Sequence, residues 1–139
     1  MMTTFQAHGE FKVRLDGRIL VSEVDGPWNK EMVVQWMRAA SPVARSLAET
    51  GPHIALTIVT GSLLCPPEAL TMLGQVIHHT AARLQCIGNL VVAADGVEGR
   101  ALFTPMYARI YTADTPHDLF PDYESGKAWA LAVLAEKGF

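Results

Sequence analysis

From Phe11 to Asp16 apolar and polar residues alternate, Phe11, Val13 and Leu15 against Lys12, Arg14 and Asp16. Period two is the mark of a strand with one buried face. Asp16-Gly17 follows, a two-residue hairpin signal, because a type I′ turn needs positive φ at both central positions. The return strand is predicted over residues 18–24, closed by Asp25-Gly26-Pro27. The period then changes to that of a helix. Asn29 is a good N-cap, with Trp28 before it and Val33 placed as the two halves of a hydrophobic staple. Trp28 is therefore read as fixing the helix entry rather than as a binding aromatic. Val33, Trp36, Met37, Ala40, Ala44 and Leu47 share one helical face, and Glu31, Gln35, Arg38, Arg45 and Glu49 the other. Pro42 falls among the polar set, which predicts a kink on the solvent side or a restart with Ser41 as cap.

Residues 54–84, IALTIVTGSLLCPPEALTMLGQVIHHTAARL, are the centre of the chain. A short β-branched run bounded by breakers reads as an interior strand over residues 54–59. After Gly61-Ser62, Pro66 and Pro67 suit the first turn of a helix, whose N–H groups lack internal partners. Leu70, Leu73, Ile77, Ala81 and Leu84 form its core stripe, widened by Met72 and Val76. Gly74 in mid-helix implies close packing against a neighbouring backbone. Residues 90–94 predict a second buried strand, 98–111 a helix interrupted by Pro105, and Leu119-Phe120 a short edge strand. A last helix is capped by Asp122 and runs through Glu136, with Ala128, Trp129, Ala132, Val133 and Ala135 for its apolar side. Gly138 stands where positive φ is often needed. The order ββα-βα-βα-(β)α defines an α/β chain of four to five strands and about four helices.

Length and composition narrow the classes. A chain of 139 residues, half hydrophobic and 18% charged, fits one globular domain over residues 1–139. A net charge of −3 argues against nucleic acid as partner. The longest wholly apolar run, residues 128–135, is too short to span a bilayer, and MMTTFQAHGEF shows no secretory pattern. Two cysteines, Cys65 and Cys86, are read as reduced thiols of a cytoplasmic protein.

The chemistry sought is mostly absent: there is no nucleophile elbow, no P-loop and no dinucleotide fingerprint. The histidines are His8, His53, His78, His79 and His117. Adjacent helical residues such as His78 and His79 point about 100° apart, whereas chelation on a helix wants i, i+4 spacing, so no metal and no cofactor is expected. Cys65 stands at a helix start, where a thiolate is favoured. However, two prolines remove donors there and no nearby residue supplies a base, so a small buried hydrophobe is the preferred reading. Thr60 and Ser62 offer hydroxyls, though Gly-Ser after a strand is ordinarily a turn. Met72, Phe103, Met106 and Tyr107 are placed to line an apolar pocket between the second and third helices.

Three stretches, DGRILVSEVDGPWN, PPEAL and LFPDYESGKAWAL, resemble in order and spacing the SpoIIAA-like family, a STAS-related branch with Sec14-like relatives. The resemblance spans nearly the whole chain. It implies a mostly parallel sheet with the first strand antiparallel at an edge, and a non-catalytic interaction or regulatory module. Family members of the anti-sigma factor antagonist type bind a kinase-like protein and are switched by a phosphorylated serine in an Asp-Ser-Ser-Gly stretch before the central helix. This chain has Leu64-Cys65-Pro66-Pro67-Glu68 there, so phosphorylation control is not implied. The interaction surface carried over is the loop Ser62, Leu63, Leu64, Cys65, Pro66 and Glu68, with Met72, Phe103, Met106 and Tyr107 beside it. The expected partner is a protein, and a homodimer is compatible with the sequence. A carrier of a small apolar, lipid-like ligand is the alternative, and a small enzyme using Cys65 the third reading.

Overall fold

The structure, a computed structural model, describes residues 10–107, 110–111 and 115–139. His8 and most of the N-terminal stretch read for a secretory pattern lie outside the described residues. Among the described residues five strands form one sheet in the order β1 (Glu10–Asp16), β2 (Ile19–Asp25), β3 (His53–Thr60), β4 (Cys86–Val92) and β5 (His117–Phe120). β1 is an antiparallel edge strand and the other four run parallel. The helices are α1 (Lys30–Ala48), α2 (Pro67–Arg83), the short α3 (Phe103–Tyr107) after a 3-10 turn at Arg100–Leu102, and α4 (Tyr123–Glu136). The α/β class and the interior placement of β3 are as the pattern of apolar residues predicts, and the mostly parallel sheet with an antiparallel first strand at its edge is as the resemblance implies.

Each parallel strand sends alternate side chains to opposite faces. Leu20, Val24, Val59 and Val91 meet Trp36, Ala40, Leu73 and Ile77 on the face covered by α1 and α2. Ile19, Val21, Ile54, Leu56, Leu90 and Val92 face Ala130 and Leu134 of α4. Asn29 caps α1, its Oδ1 accepting from Met32 N–H at 2.8 Å. Trp28 is 4% exposed and meets Trp36 edge-on at 5.9 Å, so it is a core aromatic and not a binding one. The Trp36 indole N–H donates to Ser22 Oγ at 2.8 Å, satisfying both buried polar groups.

Several local expectations are corrected. Asp16 pairs with Ile19, so the turn residues are Gly17 and Arg18. Only Gly17 has positive φ, +59°, the pattern of type II′ rather than I′. Arg18 is freed from the strand to cap α1, donating to the carbonyls of Leu47 and Pro52 at 2.6 and 2.5 Å. Leu15 breaks the alternation of β1 and is 48% exposed. α1 does not restart at Pro42. The proline is exposed, so the carbonyl that loses its partner faces water, while Trp36, Ala40, Ala44 and Leu47 stay buried on either side. β4 begins at Cys86, four residues before its apolar run. Among the described residues of the helix predicted over 98–111, only the 3-10 turn and α3 are helical. Glu98 is drawn into a bridge with Ser62, and Gly99 takes a left-handed φ of +81° that a helix cannot include. In α4 the buried residues are Gly126, Ala130 and Leu134, whereas Ala128, Ala132 and Ala135 are exposed. A helix rich in alanine on all sides has little amphipathic contrast from which to read its inner face. Gly74 packs against the Ile110 side chain rather than against backbone; a Cβ there would lie 3.1 Å from Ile110 Cγ2.

Candidate functional site

The chain between β3 and α2 is stitched into its surroundings by backbone bonds. Gly26 N–H donates to Thr60 O at 2.9 Å, Leu63 N–H to Glu98 O at 2.8 Å and Trp28 N–H to Leu64 O at 3.1 Å. The Tyr107 hydroxyl adds a bond to Leu63 O at 2.7 Å. This lacing decides which of the predicted residues reach solvent. Ser62 is 4% exposed, with Oγ accepting from Leu64 N–H at 3.1 Å, and Leu63 is fully buried. Neither lies on a contact surface, so apolar recognition through Leu63 is excluded by its burial. Leu64 is 36% exposed, Cys65 is half-buried, and Pro66, Pro67 and Glu68 are exposed. Pro66 is the N-cap of α2 and makes no side-chain capping bond. Next to Leu64 runs the 3-10 turn: a Cβ on Gly99 would lie 3.1 Å from Leu64 Cδ2. Leu102, one turn on, is 51% exposed. Sequence reasoning missed Leu102 because it stood in a helix that does not form.

The expected pocket between α2 and α3 is filled. Phe103 and Tyr107 are 6% and 3% exposed and stack at 4.9 Å, Met106 is half-buried, and Met72 points elsewhere. Cys65 packs against this cluster, and burial pushes its thiol up to about 12. A thiol so placed is protonated at neutral pH and a poor nucleophile. Burial likewise raises the Tyr107 hydroxyl.

Met72 instead lines an open groove of about 620 Å³ between α1 and α2. Its apolar walls are Val34, Met37, Pro42, Met72 and Val76, and Arg38, Arg45 and His79 stand among them. His78 lines a different groove, of about 590 Å³, with Pro67, Leu70 and Ile110. The two histidines thus diverge as helix geometry requires. Among the described residues no three His, Cys, Asp or Glu side chains lie close enough to share a metal ion.

Beneath the α1–α2 groove lies a cavity of about 30 Å³ that shares Met37, Ser41, Val76 and Thr80 with it. His53 and Asn89 line this cavity, 1% and 7% exposed, and His53 Nδ1 and Asn89 Nδ2 have no hydrogen-bond partner. Burial, reinforced by the charge of Arg18, lowers the His53 pKa from 6.5 to about 4. Between pH 6.5 and about 4 the folded protein therefore holds His53 neutral while the unfolded chain protonates it. Stability from this group is complete above pH 6.5 and is lost as pH falls from 6.5 through 4. Urea unfolding at pH 7 and pH 4 should show His53→Gln losing about 3 kcal/mol less than the parent over that interval. Equal losses would mean that His53 does not resist protonation in the fold.

Comparison of the chain with protein-family models, curated proteins and solved structures returns no match. Among the described residues no helix is long and apolar enough to cross a membrane.

Proposed function

We propose that the chain is a non-catalytic interaction module of the SpoIIAA-like, STAS-related type, binding a protein partner in the cytoplasm. Its working surface is an apolar shelf of Leu64, Pro66 and Pro67 beside Leu102. The observation that carries this reading is that two exposed leucines flank Gly99, Leu64 packed beside it and Leu102 donating its N–H to the Gly99 carbonyl, on backbone tied down by the Leu63–Glu98 and Tyr107–Leu63 bonds. Large apolar side chains held in fixed positions cost little ordering entropy when they bind. Glu68 and Glu98 are exposed beside the shelf and form no ion pair among the described residues, which suits a partner whose apolar patch has a basic rim. The high thiol pKa of Cys65 supports an interaction role over a cysteine enzyme. Ser62, being buried and engaged with Leu64, does not offer its hydroxyl as a phosphorylation switch.

The test is Leu64→Asp with Leu102→Asp, checked for an unchanged melting curve. Losing two apolar anchors should weaken partner binding by about 2 kcal/mol or more. The readout is recovery of a cross-linked partner by the double variant, compared with the parent and with a variant altered only in the α1–α2 groove. Partner recovery that ignores the shelf substitutions would end this reading.

A carrier of a small apolar ligand is the second reading. What favours it is the groove between α1 and α2, which contains Met72 and is of a size that holds small molecules.

A further inference from the structure

We infer that the α1–α2 groove is a site for a small amphipathic anion, an aliphatic carboxylate whose chain lies on the apolar walls and whose head meets Arg38 and Arg45. This rests on the second reading above and gives it a ligand class. Three observations converge. The groove, about 620 Å³ in volume, is walled by Met37, Pro42, Met72 and Val76, a flexible apolar lining that adapts to an alkyl chain. Its polar lining carries arginine and histidine but no Asp or Glu. Among the described residues neither Arg38 nor Arg45 forms an ion pair or hydrogen bond. Two arginines, two helical turns apart along α1 and both lining the groove, in a chain of net charge −3, make a local positive site that a carboxylate answers with charge-assisted bonds. Third, the cavity under the floor places two unpartnered, deeply buried nitrogens, on His53 and Asn89, next to the apolar walls. Buried polar atoms are nearly always satisfied by a partner, so these two nitrogens stand as unmet polar groups in a cavity whose lining is otherwise mostly apolar. A neutral alcohol of the same chain would use the walls and leave the arginines unanswered.

The experiment titrates decanoate, decanol and decylamine into the full chain by calorimetry, beside an Arg38→Gln, Arg45→Gln double variant and Val76→Trp, which fills the groove. Decanoate should bind the parent, weaken at least about tenfold in the double variant, and not bind Val76→Trp. Decanol should bind at least about tenfold more weakly than decanoate, and decylamine more weakly still. If decanol matches decanoate, and Val76→Trp abolishes both, the apolar-carrier reading stands and the carboxylate inference is overturned. Decanoate binding that ignores the arginine substitutions overturns it as well. If none of the three binds, the carrier reading and the inference fall together. Both arginines are exposed, so the double variant should melt as the parent does.

Discussion

Leu73→Ala and Ile77→Ala are each expected to lower the unfolding free energy by about 2–5 kcal/mol. The two residues lie one turn apart on α2, 5% and 8% exposed, in the cluster that also contains Leu20, Val59, Val91 and Trp36. Cutting either back to Cβ removes apolar area and leaves a void, because strands on one side and α1 on the other cannot both follow the retreat. Leu70, half-buried and lining the outer groove, is the internal comparison: Leu70→Ala should cost clearly less. Urea denaturation of the three variants decides the matter. Near-neutral values at both Leu73 and Ile77 would mean that α2 presents another face to the sheet, and that the groove beside α1 is misplaced with it.

How much of this was legible before the fold was seen follows from the length of the pattern in each element. α1 and α2 have apolar stripes running several turns, so the inner face of α1 and the Leu73–Ile77 line of α2 could be read from spacing, and the cap at Asn29 from its residue type. In α2 the predicted Leu70 and Ala81 are only half-buried and Ala69 is buried instead. The strands β2, β3 and β4 were legible from β-branched runs between breakers. What failed was local chemistry without period. Residues 98–111 hold enough helix formers to suggest a helix, but Gly99 in a left-handed conformation and the bridge from Ser62 to Glu98 depend on a neighbour thirty-six positions away. The residues expected to form the interaction surface divide by burial, which depends on the same long-range contacts. Leu64, Pro66 and Glu68 reach the surface, while Ser62, Leu63, Phe103 and Tyr107 are consumed in building it. Arg38, Arg45, His79 and Met72 were each visible as residues of a helical face. Their convergence was not, since it depends on how α1 and α2 pack. The internal neighbours of His53 and Asn89 carry no sequence signal at all.

Gly26→Ala is expected to be the most damaging of the small substitutions, at or above the upper end of the range of about 1–3 kcal/mol for overpacking. A Cβ on Gly26 would lie 2.0 Å from Ser62 O and 3.1 Å from Ser62 C. Those are backbone atoms, so no rotamer change can make room; one of the two loops has to move. Moving either strains the bonds that lace them, from Gly26 N–H to Thr60 O and from Trp28 N–H to Leu64 O. It also disturbs Leu63, which is fully buried and held at its carbonyl by Tyr107. The damage should therefore reach the shelf as well as the core. Gly96→Ala is the control, because a Cβ there meets nothing within 4 Å, and it should change stability by no more than about 0.5 kcal/mol. In a thermal melt followed by near-UV circular dichroism, which senses the buried Trp28–Trp36 pair, Gly26→Ala should lose roughly 10 °C or more. A melt unchanged from the parent would mean that the two loops stand apart, and that the shelf lacks the rigid footing on which its role as a binding surface depends.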